Sequence, residues 1–346
     1  MTAMPIRRRV LLGAALAPWA PSLSWAQKPA RPVFVLNSQD ASVSVIDPVS
    51  WTEQQRIAVG KEPHHLYLTP DEKSLIVANA AGNSLTLIDP ATAQVQRTIR
   101  DIVDPYHLRF SPDMKWFVTA ANRLDHVDIY RWLPTAAQAS GATAPAAPPP
   151  LLQLARRLPA PKTPSHLWID SRSTVVYATL QDSDELVAID LATQAVRWKV
   201  GTGKMPADVY VTRDDRTLFI GLTGDRVVEA WDVSGTAPRR IARIPTGEGA
   251  HAFRARGDGR HVFVSNRVAN TISVLDTQAM AVVRQLPAPG GPDCMELMAD
   301  GRTLLVTSRW ARKLTLIDTE AARVTRQVAV GRSPHGVWTL DHAPRT

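Results

Sequence analysis

The sequence predicts an all-β fold, a seven-bladed β-propeller with four-stranded blades. Two observations carry this: a strand opening that recurs seven times, and chain ends that each hold part of one blade. The openings are Pro63-His64-His65-Leu66, Pro105-Tyr106-His107-Leu108, Pro164-Ser165-His166-Leu167, Pro206-Ala207-Asp208-Val209, Gly249-Ala250-His251-Ala252, Pro292-Asp293-Cys294-Met295 and Pro334-His335-Gly336-Val337. With 65, 107, 166, 208, 251, 294 and 336 taken as equivalent positions, the steps are 42, 59, 42, 43, 43 and 42 residues. A period of that size is long enough for four short strands. The one long step contains residues 135–150, a low-complexity Ala/Pro-rich insert that cannot bury a core and is expected to be a flexible loop on one blade.

Each repeat reads the same way. In the first, residues 65–69 alternate as a strand, Pro70-Asp71-Glu72-Lys73 turns, residues 74–79 and 84–89 form the second and third strands, and residues 94–100 form the fourth. The turn after the first strand recurs with Asp and Gly, as in Arg256-Gly257-Asp258-Gly259 and Ala299-Asp300-Gly301, residues that supply side-chain bonds and positive φ. The third strand usually ends in aspartate, at Asp47, Asp89, Asp190, Asp232, Asp276 and Asp318, where a carboxylate can bond the amides of the next turn. Residues 32–59 supply the second, third and fourth strands of a blade with no first strand, and residues 335–340 are a first strand with nothing after it. Together they complete the seventh blade, which removes the exposed edge without a disulfide. None is possible within the chain, because Cys294 is the only cysteine.

The second strands Phe34-Val35-Leu36-Asn37, Ile76-Val77-Ala78-Asn79 and Phe263-Val264-Ser265-Asn266, with the third-strand runs Asn83-Ser84-Leu85-Thr86 and Asn270-Thr271-Ile272-Ser273, resemble the YVTN-repeat family of seven-bladed propellers. The resemblance covers nearly all of residues 32–340. It implies the fold and an exported bacterial protein, and it implies no particular chemistry.

Export is also read from the N-terminus. Arg7-Arg8-Arg9, a short apolar run over residues 11–23 and the small-x-small site Ser24-Trp25-Ala26 predict a signal peptide over residues 1–26, followed by a single propeller domain over 27–346. The apolar run is too short for a membrane span. Arg7-Arg8-Arg9-Val10-Leu11 fits a twin-arginine signal as well as an ordinary secretory one, and both stay open. The expected location is the periplasm, in soluble form. The net charge of +8 includes the three leader arginines, leaving about +5, which favours anionic ligands and falls well short of a nucleic-acid-binding stripe. No membrane span and no sequence-specific nucleic-acid binding are expected, and a closed propeller is expected to be monomeric.

Function is expected where the strand openings meet. In propellers the loops into the first strands share one face with the loops joining second to third strands, around the channel mouth. That face would gather His64, His65, His107, His166, Asp208, His251, Cys294 and His335, with Arg123, His126, Arg226, Arg267, Arg309, Trp310, Arg312 and Lys313 around them. Six of the nine histidines fall at two positions of the repeat. Imidazole suits zinc, copper, nickel and iron, and Cys294 would add a soft thiolate, so His64, His65, His107, His166, His251, Cys294 and His335 are candidate ligands for a transition metal or a haem. The alternative is that the histidines bond neighbouring blades and brace the ring. Arg123, Arg226, Arg267, Arg309, Trp310 and Arg312 are the candidate ligand-binding residues, for an anionic small molecule or a periplasmic protein. No catalytic residue is assigned.

Three resemblances bear on chemistry. Nitrous-oxide reductase is similar in lining its propeller with histidines, including an adjacent pair like His64-His65, but its cupredoxin domain has no counterpart here. The haem-binding propellers of the cytochrome-type nitrite reductases are similarly histidine-lined, yet the Cys-x-x-Cys-His attachment motif is missing. Lactonase propellers have first strands resembling Pro164-Ser165-His166-Leu167, which would make a histidine the base and set Arg267 or Arg309 against an anionic substrate. The reading is an exported binding propeller that uses a His/Arg-rich face, with a metal- or haem-binding redox or maturation factor as the alternative and a lactonase-like hydrolase after it.

Overall fold

The computed structural model describes residues 31–69, 71–133 and 152–345; the leader at 1–26 and the insert at 135–150 lie outside the described residues. Seven antiparallel sheets of four strands each make the propeller. The innermost strands are Pro63–Leu68, Pro105–Phe110, Pro164–Ile169, Pro206–Val211, Ala250–Ala255, Pro292–Leu297 and Pro334–Thr339. The last of these pairs with Val33–Asn37, Phe34 opposite Trp338 and Val35 opposite Val337, and the sheet continues through Ser42–Asp47 to Thr52–Ala58. The two ends of the chain therefore share one blade, as the truncated end repeats require. Trp132 pairs with Leu152, so the Ala/Pro-rich insert joins the third and fourth strands of its blade.

Burial falls from the axis outward. Inner strands such as Pro206–Val211 are buried throughout, whereas fourth strands such as Ala281–Pro287 and Arg323–Ala329 bury fully only one residue, Leu286 and Val328. Blades pack through their flat faces: Phe34, Leu36 and Val43 of the closing blade meet Leu75, Val77 and Ile88 of the next. Each such side chain removed from water contributes about 1.5–3 kcal/mol.

The repeated asparagine has a definite task. Asn37 Nδ2 donates to the hydroxyls of Ser42 and Ser44, Asn79 to Ser84 and Thr86, and Asn266 to Thr271 and Ser273, which ties the second strand to the third. Gly331 lies over Asn37 so closely that a Cβ there would stand 2.5 Å from its side-chain carbon, and its N–H donates to Asn37 Oδ1. The third-strand aspartates cap the following turns, Asp276 Oδ1 accepting from the amides of Gln278 and Ala279 and Asp318 Oδ1 from those of Glu320 and Ala321.

Two features point side chains into the channel. The residue before every inner strand has positive φ: Glu62, Asp104, Thr163, Met205, Gly249, Gly291 and Ser333, between 46° and 78°. This bend turns the next residues toward the axis, and the loop joining second to third strands is bonded to it, as in Ala80 N to Glu62 O and Arg309 N to Gly291 O. At the far mouth the C-terminal tail folds back across the channel. Ala343 N donates to Leu297 O, and the buried Arg254 guanidinium donates to the carbonyls of Ala343 and Pro344.

The register corrects one alignment. Ala250 pairs with Asn266 as Pro63 pairs with Asn79, so Ala250, and not Gly249, occupies the proline position. His251 is consequently equivalent to His64 rather than to His65.

Candidate metal centre

The corrected register stacks two layers of side chains along the channel. The outer layer is His64, Tyr106, Ser165, Ala207, His251, Asp293 and His335; the inner is His65, His107, His166, Asp208, Ala252, Cys294 and Gly336. The six histidines expected at the mouth are instead inside the channel, and none is more than 9% exposed. Their rings are in mutual contact, with centroids 3.6 Å apart for His64 and His335, 4.4 Å for His65 and His107, 4.9 Å for His107 and His166, and 5.0 Å for His65 and His166. Bends that turn the second and third residues of each inner strand toward the axis bring them together, although they are far apart in sequence.

Burial governs their charge. It lowers the pKa of all six, to about 4 for His65, and the neighbouring imidazoles and arginines push the same way for His64 and His107. The cluster is therefore neutral at neutral pH, the form in which imidazole binds a metal.

The hydrogen bonds divide the two ring nitrogens. His65 Nδ1 donates to Tyr106 O at 2.8 Å, and His335 Nδ1 to His64 O at 2.8 Å; His107 Nδ1 accepts from Leu167 N at 3.3 Å, and His166 Nδ1 pairs with Ser165 Oγ at 2.9 Å. Three of these four bonds cross to the next blade, so bracing is real. It uses Nδ1. His65 is thereby set as the tautomer whose Nε2 carries a lone pair, the arrangement that outer partners impose on metal-binding histidines, whereas His107, whose Nδ1 accepts, carries its ring proton on Nε2 and must give up the Leu167 bond and move that proton to Nδ1 before it can ligate through Nε2.

Among the described residues, three groups bring ligand atoms within 4.8 Å of one another: His65, His107 and His166; His64, His65 and His335; and His251, Asp293 and His335. The last group is already occupied by protein. Asp293, fully buried, accepts from Arg267 at 2.7 Å and Arg309 at 3.1 Å, while His251 Nδ1 lies 3.1 Å and His335 Nε2 3.5 Å away. Burial works against its charge, but the two guanidiniums and two imidazoles hold the carboxyl well below the usual range. His65, His107 and His166 have no carboxylate among them and line a cavity of about 120 Å³ below the inner layer. An ion held by the three at about 2.0–2.1 Å would require their ligand atoms, which lie within 4.8 Å of one another, to draw together, and would have one tetrahedral position without a histidine.

Asp293 is the residue that sequence reasoning passed over. It stands in the same opening as Cys294, at the position where His64 and His335 stand in theirs, and that equivalence was the available signal. Cys294 lines the cavity but belongs to none of the three groups; its Sγ is 3.5 Å from His335 Nδ1. Burial, helped by Asp293 and Asp208, pushes its thiol well above the ordinary value, so it stands as a thiol and not as the expected thiolate.

The arginines of the mouth are mostly engaged. Arg123 bonds Asp104 at 2.6 Å and also Glu62, Arg226 bonds Glu248 at 2.8 Å, and Arg267 and Arg309 share Asp293. The two arginines that a lactonase would turn toward substrate thus face a protein carboxylate. Arg312 is exposed, and Trp310, 57% exposed, lies over Gly291, where a Cβ would come within 2.5 Å of the indole. Of the strand tryptophans, Trp231 and Trp338 are buried, and Trp116, Trp132 and Trp168 are partly so.

The sequence signature of the YNCE-like beta-propeller family matches residues 7–345. The chain belongs to that family. The strand motifs had suggested the YVTN-repeat propellers, and the signature that matches is the YNCE-like one. No curated protein sequence matches the chain. Among solved structures, a functionally unknown protein from Desulfotomaculum acetoxidans DSM 771 superposes with a TM-score of 0.75 at 14% identity, over 91% of this chain and 100% of that one. The periplasmic gluconolactonase PpgL of Pseudomonas aeruginosa gives 0.71 at 17% identity, over 89% and 98%. The dihydro-heme d1 dehydrogenase NirN in complex with DHE gives 0.65 at 17%, over 93% and 77%. At such identities these likenesses show the fold alone. Among the described residues no helix is long and apolar enough to cross a membrane.

Proposed function

We propose that this YNCE-like propeller is an exported metal-binding protein that holds one transition-metal ion in its channel through His65, His107 and His166. The observation that carries the reading is the convergence of three buried, neutral imidazoles on a cavity whose lining carboxylate, Asp208, is engaged by the amides of Val209 and Phe253. Among imidazole-preferring metals, zinc and copper fit a three-histidine set. The surrounding Arg109, Arg267 and Arg309 outnumber Asp208 and Asp293, so a monovalent ion is less costly to bury than a divalent one, which favours copper(I). Export rests on the leader residues, Arg7 to Arg9 and Ser24-Trp25-Ala26.

This reading takes the place of ligand capture on a cationic mouth, because ion pairs engage four of the five candidate arginines there. A haem does not fit the channel: about 120 Å³ with imidazole rings in contact leaves no slot for a macrocycle. The proposed role is carriage or storage of the ion, with no catalytic residue assigned. Elemental analysis of protein purified from the periplasm without chelators, followed by titration with copper(I) and zinc(II), tests it. One equivalent bound by the wild type and none by a His107→Ala, His166→Ala double variant is expected. Equal uptake by the two proteins would overturn the assignment.

A further inference from the structure

The floor of the histidine cavity carries an arginine that forms no ion pair among the described residues. Arg109 comes from the same inner strand as His107, two residues further along, and it lines the cavity together with Arg345 of the C-terminal tail. Its guanidinium lies 5.3 Å from the Tyr67 ring centroid and 4.6 Å from that of Trp168, which fixes its plane. Nε donates to Leu167 O at 3.1 Å, and Nη1 makes only a long contact to the Tyr67 hydroxyl at 3.4 Å. Among the described residues no carboxylate lies within ion-pairing distance of Arg109.

The two carboxylates nearby are otherwise employed. Asp208 accepts from Val209 N and Phe253 N, one amide on each oxygen. Glu296 is shared by Arg254, at 2.6 Å, and Arg345. Three arginines therefore stand against two carboxylates around the floor, with one positive charge in surplus on a guanidinium whose remaining donors have no acceptor among the described residues. A guanidinium so placed, in a cavity with room for a few water-sized groups, is a site for a small anion.

We infer that the cavity between the His65–His107–His166 set and Arg109 binds a small inorganic anion, of three to five heavy atoms, which Arg109 holds at one end and which can reach the open position of the channel metal at the other. The inference builds on the metal reading above, and Arg109 gives it a footing that is tested apart from the metal. The metal would add positive charge to a shell that is already cationic, so metal and anion each favour the other's binding. The occupant is limited to compact anions by the cavity volume and by the tail that covers the far mouth.

The test uses azide as probe, titrated calorimetrically into the metal-free and the zinc-loaded wild-type protein and into Arg109→Gln and Arg345→Gln variants. Zinc affinity is measured on the same samples. The wild type is expected to bind one azide, at least tenfold more tightly when zinc is present, and Arg109→Gln is expected to lose at least tenfold in azide affinity while its zinc affinity stays within twofold. Arg109→Lys is the second variant should loss of the stacked guanidinium unfold the glutamine protein; it keeps the charge but not the fork, and an intermediate azide affinity is expected. Azide affinity that is equal in all the variants, or no azide binding in either state of the wild type, overturns the inference. A protein that takes up no zinc and still binds azide through Arg109 keeps the anion site and loses the metal.

Discussion

His335 Nδ1 donates to the backbone carbonyl of His64 at 2.8 Å, with the two rings 3.6 Å apart, across the junction between the closing blade and the blade that follows it. These residues are separated by 271 positions in the chain. The bond joins the inner strand contributed by the C-terminus to the first inner strand of the N-terminal half, so closure of the ring and assembly of the histidine cluster are one event.

Deletion of residues 335–346 therefore removes more than a tail. It takes the inner strand from the closing blade, exposes the edge of Val33–Asn37, and strips Trp338 from its contact with Phe34. Loss of cooperative thermal melting is expected. A truncated protein that melts within a few degrees of the full chain would contradict the closure.

Asp293→Asn leaves Arg267 and Arg309 without their shared counter-charge. Removing one member of a buried ion pair costs about 3–5 kcal/mol, and the low end applies because the two arginine side chains keep 19% and 29% of their exposure. A loss of about 3 kcal/mol in denaturant unfolding is expected. If Asp293 were a metal ligand instead of the arginine anchor, the same variant would lose metal while keeping most of its stability.

Acid sensitivity follows from the histidines. In the unfolded chain they take up protons near pH 6.5, whereas in the native protein burial holds all six lower, His65 to about 4. Over that interval the unfolded state binds more protons, so stability is full above pH 6.5 and falls as pH drops toward 4. Asp208 works oppositely. Burial raises it from 3.8 to about 6, and the stability linked to it is lost as pH rises through that range. Six groups outweigh one, and the metal-free melting temperature is expected to drop steadily between pH 7 and pH 5. A flat or rising profile would mean that the cluster is hydrated in solution.

Much of this was legible before the fold. The 42-residue spacing of the openings, the asparagines of the second strands and the orphan strands at the two ends specify the seven blades, because each is a local backbone requirement that repeats. The depth of the histidines was not legible, since the bend before each inner strand is carried by residues as unlike as Glu62, Met205 and Gly249, whose common positive φ has no common side chain. The placing of His251 failed for a related reason: Gly249 resembles a turn residue, and only the pairing of Ala250 with Asn266 reveals which residue takes the proline position. Partnerships such as Arg267 with Asp293 depend on neighbouring blades meeting at the axis, which composition cannot report.

The most direct measurement of the channel site is the position of bound metal in crystals of the protein loaded with zinc(II) or copper(I), located by anomalous scattering at the metal edge. The account predicts a single strong peak on the channel axis about 2.0–2.1 Å from nitrogens of His65, His107 and His166, absent from crystals of the His107→Ala, His166→Ala variant. A peak bound instead by His251, Asp293 and His335, or no peak in the channel at full loading, would contradict it.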